Sequence, residues 1–167
     1  MTISLPDGLI DKYYEVCDFF INNDIIGRAC TLVYPPKREV CTNCTLKPVG
    51  ATSTNIYRHG GPMPFQFGNC PMCGGNGYKE TETLGTIRLR IYWERANWIK
   101  IGGSVNIPDA EIMVIGFMAD LPKLRQAIEI LLAKDQNEAV YKTTLVGQPT
   151  PHGFGRNKYF MAFLKGA

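Results

Sequence analysis

The sequence has few of the residues, and none of the motifs, from which common active sites are built. It contains only two histidines, His59 and His152, and neither lies in a context typical of a catalytic pair. No Gly-x-Ser-x-Gly elbow, phosphate-binding Walker loop, dinucleotide fingerprint or paired-carboxylate motif occurs. Because nothing in the sequence indicates catalysis, we expect a protein that is not an enzyme.

Long apolar runs and strong clusters of basic residues are also missing. No run of about 18 apolar residues suggests a membrane span, and Met1–Asp7 has neither the basic region nor the apolar stretch of a secretory signal. We therefore expect synthesis in the cytoplasm without export or membrane contact. The formal net charge of +3 permits contact with nucleic acid without indicating it, since no Lys/Arg cluster exceeds three residues.

Cysteine, by contrast, is arranged in a pattern: two Cys-x-x-Cys motifs are formed by Cys41, Cys44, Cys70 and Cys73. Two such knuckles supply the four thiolates of a closed tetrahedral zinc site, which has no open position and is therefore structural. The glycines of 74–77 allow turns that bring amide N–H groups close to sulfur. Iron in place of zinc, a pair of disulfides and four unrelated thiols are the alternatives. The regular spacing and the missing secretory signal disfavour the last two.

The stretch between residues 37 and 83 differs in composition from the rest of the chain, with many Pro and Gly residues and few aliphatic ones. A segment this long without regular structure is uncommon in a compact domain unless something orders it. Bound zinc would supply that order. We predict an N-terminal helix and first strand in 1–36, a zinc-binding insertion in 37–83 and the remainder of a β domain in 84–167.

Hydrophobic periodicity predicts an amphipathic helix over Leu9–Ile21 and several short strands. The predicted strands are Ala29–Tyr34, Leu84–Trp93, Asn97–Ile101, Glu111–Met118, Val140–Val146 and Tyr159–Leu164. A helical turn begins at Asp120, residues 128–132 fit either a helix or a strand, and residues 147–157 are predicted to form a loop. The expected fold is a small antiparallel β-barrel or sandwich with an N-terminal helix and an inserted zinc-binding loop that supplies four cysteines.

Three stretches resemble the head-closure (stopper-type) connector proteins in the neck of tailed bacteriophages: Ile26–Pro36, Asp120–Ala127 and Gly147–Phe160. The resemblance implies a virion structural protein, a small β-barrel that assembles as a homo-oligomeric ring. Such a ring would link the portal and its adaptor to the tail proteins and help retain the packaged DNA that passes through its lumen. The cysteine insertion departs from the simplest connector barrel.

Contact residues for such a role are predicted in the Pro/Gly-rich segment that contains Pro149, Pro151, His152 and Phe154. A rigid loop that carries proline and an aromatic ring loses little entropy when it docks. We therefore predict that these residues contact a partner or another copy of the chain.

Two arginines on one face of a predicted strand, Arg88 and Arg90, are candidates for contact with DNA phosphates. Further candidate contact residues are Phe65, Phe67, Trp93 and Trp98. The alternative function is a zinc-ribbon protein that binds nucleic acid. The basic residues around the knuckles are few, however, and glutamates offset them.

Overall fold

Strands outnumber helices in the part of the chain that the computed structural model describes, residues 6–50, 52–59, 63–100, 110–133, 140–153 and 156–167. In chain order the elements are α1 (Asp7–Asn22), β1 (Gly27–Val40), β2 (Cys44–Leu46), β3 (Ser53–Tyr57), β4 (Tyr78–Tyr92), α2 (Arg95–Lys100), β5 (Ile112–Phe117), α3 (Leu121–Gln126), β6 (Glu129–Leu132), β7 (Tyr141–His152) and β8 (Tyr159–Gly166). The predictions of a mainly β fold and an N-terminal helix are confirmed. Among the described residues, no helix has both the length and the apolar character needed to span a lipid bilayer.

The chain divides into two compact units. The barrel unit combines Met1–Tyr34 with Leu84–Ala167, and the cysteine unit is the intervening stretch Pro35–Thr83. The insertion predicted over residues 37–83 thus corresponds to a unit that begins at Pro35. Both boundaries fall inside strands, since β1 and β4 each contribute residues to the two units.

Six strands of the barrel unit form a closed barrel in the order β1-β4-β5-β8-β7-β6. The pairing of β5 with β8 is antiparallel and runs from Ile112 opposite Leu164 to Phe117 opposite Tyr159. The barrel closes where β1 pairs with β6, which places Thr31 opposite Leu131. Because the sheet is closed, it has no open edge strand.

Alternating strand residues fill the barrel interior. Its buried side chains include Leu32 of β1, Leu89 of β4 and Phe160 of β8. Gly116 of β5 faces two of them: a Cβ added there would lie 2.7 Å from both Leu89 Cδ2 and Phe160 Cζ. The core therefore requires a residue without a side chain at this position.

Helix α1 packs on the outside of the barrel through an apolar stripe that includes Tyr14 and Ile21. These residues form a buried cluster with Ile115 of β5 and Tyr159 of β8. The Tyr159 hydroxyl donates to Asp18 Oδ1 of α1 at 2.6 Å. Burial, followed by this hydrogen bond, raises the pKa of Tyr159. The helix is thus held by apolar contact and by a polar bond on the same face.

Two predicted boundaries were wrong because proline did not end a strand. β1 continues through Pro35 and Pro36 to Val40, and β7 continues through Pro149 and Pro151 to His152. β6 pairs with β1 and β7 only through residues 129–132 and does not reach the prolines, whereas β8 stays paired with β7 and places Phe160 opposite Pro151. Proline is tolerated in a strand where no neighbour requires its missing N–H.

A third prediction, a short strand over residues 97–101, was also wrong for residues 97–100, since Arg95–Lys100 is the helix α2; residue 101 lies outside the described residues. Trp98 is completely buried in a cluster with Met113 of β5 and Met161 and Phe163 of β8. Packing of this one large ring decides the conformation of a segment too short to show helical periodicity. Residues 128–132, which fitted either type of structure, contain the strand β6.

Candidate metal centre

In sequence order, the two Cys-x-x-Cys motifs lie on either side of the small two-stranded sheet of the cysteine unit. The first motif lies between β1 and β2, and β2 begins at Cys44 itself. β2 pairs with β3 in an antiparallel hairpin in which Cys44 is opposite Tyr57. The second motif, Cys70 to Cys73, precedes β4. Folding of the chain around this hairpin brings together knuckles that are far apart in the sequence.

All four cysteines are buried, and their Sγ atoms lie within 4.8 Å of one another. Cys41 Sγ is 3.8 Å from Cys70 Sγ, and Cys44 Sγ is 3.7 Å from Cys73 Sγ. A tetrahedral ion with metal–sulfur bonds of about 2.3 Å requires sulfur atoms about 3.8 Å apart. The four thiols thus fit a single tetrahedrally coordinated metal ion.

The glycine-rich run after the second knuckle connects the two motifs. Gly74, Gly75 and Gly77 all have positive φ angles, at 58°, 94° and 83°, which favour glycine. Gly77 O accepts a hydrogen bond from the Cys41 N–H at 2.9 Å, and Gly75 O accepts one from the Ser53 N–H at 3.1 Å. The turn geometry that only glycine adopts readily therefore fixes the second knuckle to the first and to β3.

Hydrogen-bond donors also reach the sulfur atoms, as the glycines of the sequence predicted. The Gly77 N–H donates to Cys73 Sγ at 3.3 Å, and the Asn43 amide donates to Cys70 Sγ at 3.6 Å. Burial raises the pKa of Cys44 to about 12. At Cys70 burial acts in the same direction, but hydrogen bonds, first among them those from the Cys73 and Met72 N–H groups, lower the pKa to about 7. Thiolates are the ligands of soft metal ions, so these donors favour the metal-binding form.

Apart from the cysteines, the buried cluster of this unit contains one further apolar side chain, Phe65. Its ring centroid lies 4.1 Å from that of Tyr57 on β3. The sequence predicts Phe65 only as one of several possible contact residues. Nothing in it indicates that Phe65 is buried together with the metal-site cysteines. The signal that could have found it is its position five residues before Cys70 in a segment poor in other large apolar residues.

The arrangement can hold an ion but cannot present it to a substrate, since four thiolates complete a tetrahedral coordination sphere. All six cysteines of the chain are free thiols, so the structure does not contain the alternative pair of disulfides. His59 is exposed and is not a member of the cluster.

Both arginines that are predicted to face DNA contact other residues of the chain. The Arg88 guanidinium is 2.7 Å from Asp24 Oδ1 and donates to Ile21 O at the end of α1. The Arg90 guanidinium stacks over the Phe20 ring at 4.3 Å. These contacts give both arginines a structural role in holding α1 to β4, and contact with DNA stays a prediction.

The predicted contact segment is a strand rather than a loop over its first half. Pro149 is buried, Pro151 is exposed and His152 is half-buried, where burial lowers its pKa. Phe154 lies outside the described residues. Pro149 therefore belongs to the packing of β7, while a contact role for Pro151 and His152 stays a prediction.

Comparison of the chain with protein-family models, with curated proteins and with solved structures gave no significant match.

Proposed function

We propose that the four cysteines hold a structural zinc ion that orders the cysteine unit. The observation that carries this proposal is the spacing of the sulfur atoms, 3.7 and 3.8 Å across the two knuckles, in a buried cluster. Zinc is the usual ion of closed tetrahedral thiolate sites that show no redox signature. Elemental analysis of purified protein tests it, with one zinc per chain expected and iron or no metal contradicting it.

We further propose that the chain serves as a head–tail connector in a phage neck, assembled as a ring. The closed barrel agrees with the small β-barrel that the resemblance to head-closure proteins implies. Among the described residues, the only group of three or more potential metal ligands is the closed cysteine cluster, which favours a structural role.

Electron microscopy tests the neck role directly. Antibody against the chain should label tailed particles at the junction of head and tail, and the purified zinc-loaded protein should form rings with a central opening. Labelling at the capsid shell or at the tail tip would contradict the proposal.

The alternative, a zinc ribbon that binds nucleic acid, has weaker support from the charges of the cysteine unit. Lys37 Nζ lies 3.0 Å from Glu39 Oε1, and Arg38 Nε lies 2.8 Å from Glu80 Oε1. Lysine and arginine side chains that already form ion pairs gain less free energy from contact with phosphate. Micromolar or tighter binding of short duplex DNA, with an affinity that falls steeply as salt rises, would favour this alternative.

A further inference from the structure

The glycine-rich run after the second knuckle contains Asn76-Gly77, which is the one Asn-Gly pair of the sequence. Spontaneous deamidation is fastest at such pairs, because glycine has no side chain to hinder attack by its own backbone nitrogen. In this reaction the Gly77 nitrogen attacks Asn76 Cγ, the Cγ–Nδ2 bond breaks, and the Gly77 amide proton leaves with the amide group as ammonia. Water then opens the succinimide ring at either carbonyl and gives aspartate or isoaspartate.

The two reacting residues differ in their access to solvent. Asn76 is exposed, whereas Gly77 is buried. Ring closure requires a base to take the proton from the Gly77 nitrogen, and burial keeps hydroxide and buffer bases away from that atom. The folded unit thus leaves the amide that is lost in contact with water and shields the atom that must attack it.

Hydrogen bonds also fix the peptide unit that would have to move. The Gly77 N–H donates to Cys73 Sγ at 3.3 Å, and Gly77 O accepts from the Cys41 N–H at 2.9 Å. The Asn76 N–H donates to Cys73 O at 3.0 Å. To reach Asn76 Cγ, the Gly77 nitrogen must give up its bond to sulfur and the peptide must rotate. Each of these bonds involves a cysteine of the metal centre, so an ion bound there would restrain the reacting atoms.

We propose that Asn76 is a deamidation site that the metal centre protects, and that deamidation after loss of zinc prevents the ion from returning. This inference rests on the structural zinc ion proposed above. It makes metal loss irreversible with no reagent other than water.

The product is unsuited to the metal centre for two reasons. Isoaspartate places an additional carbon atom in the backbone before Gly77, which displaces the N–H that reaches Cys73 Sγ and the carbonyl that holds Cys41. The new carboxylate also adds negative charge close to a zinc tetrathiolate, which is itself negatively charged. The reacted chain should therefore bind zinc more weakly than the parent chain.

The first test compares the full chain with zinc and after chelation, at mildly alkaline pH with a reductant that keeps the cysteines as thiols. Peptide mapping by mass spectrometry follows the conversion of amide to acid at Asn76. Chelation should accelerate this conversion about tenfold or more, because the reaction requires local opening of the cysteine unit. Asp7-Gly8 at the start of α1 is an internal control, since both residues are exposed, belong to the barrel unit and form the same succinimide. Its rate should not change.

The second test measures how much zinc the chain recovers after long incubation without metal. Asn76→Gln is the matched variant, since the longer side chain closes a larger ring much more slowly. The aged parent should recover only a minor part of its zinc, whereas the aged variant should recover nearly all of it. Zinc content and thermal melting before ageing should be the same for both, because the Asn76 side chain is exposed.

The possible failures can be told apart. If zinc is bound but its removal leaves the rate at Asn76 unchanged, the metal centre does not protect this residue, although the zinc site stands. If the aged parent and Asn76→Gln recover zinc equally, deamidation does not prevent the return of the metal and the proposal fails. If the purified chain holds no zinc and takes up none, the zinc site and this inference fail together, and elemental analysis before ageing identifies that case.

Discussion

Loss of the metal should unfold the cysteine unit and leave the barrel unit folded. The buried apolar cluster of the cysteine unit consists of its four metal-site cysteines and Phe65. One buried phenylalanine contributes at most about 3 kcal/mol, whereas a structural zinc ion contributes about 10–16 kcal/mol in zinc-finger peptides near neutral pH. A zinc ion held by the four cysteines would therefore be the largest single stabilising contribution in this unit. The barrel unit has a separate buried core that contains none of these residues.

Cys70→Ser provides the perturbation, since a serine hydroxyl is a poor zinc ligand and three thiolates remain. Hydrogen exchange followed by mass spectrometry gives protection along the chain, and peptides from β2 and β3 should lose it. Peptides from β5 and β8 should keep it. Chelation of zinc from the parent chain should produce the same pattern, because it removes the same ion.

Cys17→Ser is the matched control, because Cys17 is a half-buried free thiol of α1 outside the metal centre. It should retain zinc and the protection of β2 and β3. The predicted dependence of the cysteine unit on the metal is wrong if β2 and β3 stay protected after zinc is removed. It is equally refuted if β5 and β8 lose protection together with them, since the units would then form one cooperative structure.

Three further predictions concern packing and charge. Gly116→Ala should cost about 1–3 kcal/mol of barrel stability, measured by denaturant unfolding, because the added methyl meets two core side chains; Gly8→Ala, where nothing lies within 4 Å, is the control. Phe65→Ala should weaken zinc retention in a chelator competition while the barrel melts as in the parent. A hydrogen bond from the Tyr141 hydroxyl, followed by one from a backbone N–H, lowers the pKa of Glu111. Its stabilising effect is therefore present above the unfolded pKa of about 4.3 and is lost as pH falls through the lower folded value, so Glu111→Gln should reduce Tm at pH 7 and not in strong acid.

The sequence predicted best the features that depend on local periodicity or on ligand spacing. Helix α1 follows from its apolar repeat, and β4 is recognisable where Ile87 and Leu89 alternate with arginines. The meeting of the two cysteine knuckles follows from their spacing, because each pair already supplies half of a tetrahedral site.

The features that the sequence did not predict depend on distant neighbours. Whether Pro151 ends a strand depends on pairing with β8, which continues to His152 opposite Tyr159 and which no local pattern contains. The segment around Trp98 is helical because the Trp98 ring packs on β5 and β8. Phe65 is buried and Phe67 is exposed because the chain turns between them, and this turn cannot be recognised from the sequence.

X-ray absorption at the zinc edge, combined with elemental analysis of the purified chain, tests the metal centre most directly. The expected result is one zinc ion per chain with four sulfur ligands at about 2.3 Å. A folded chain without metal, or a zinc ion bound through nitrogen or oxygen, would contradict it.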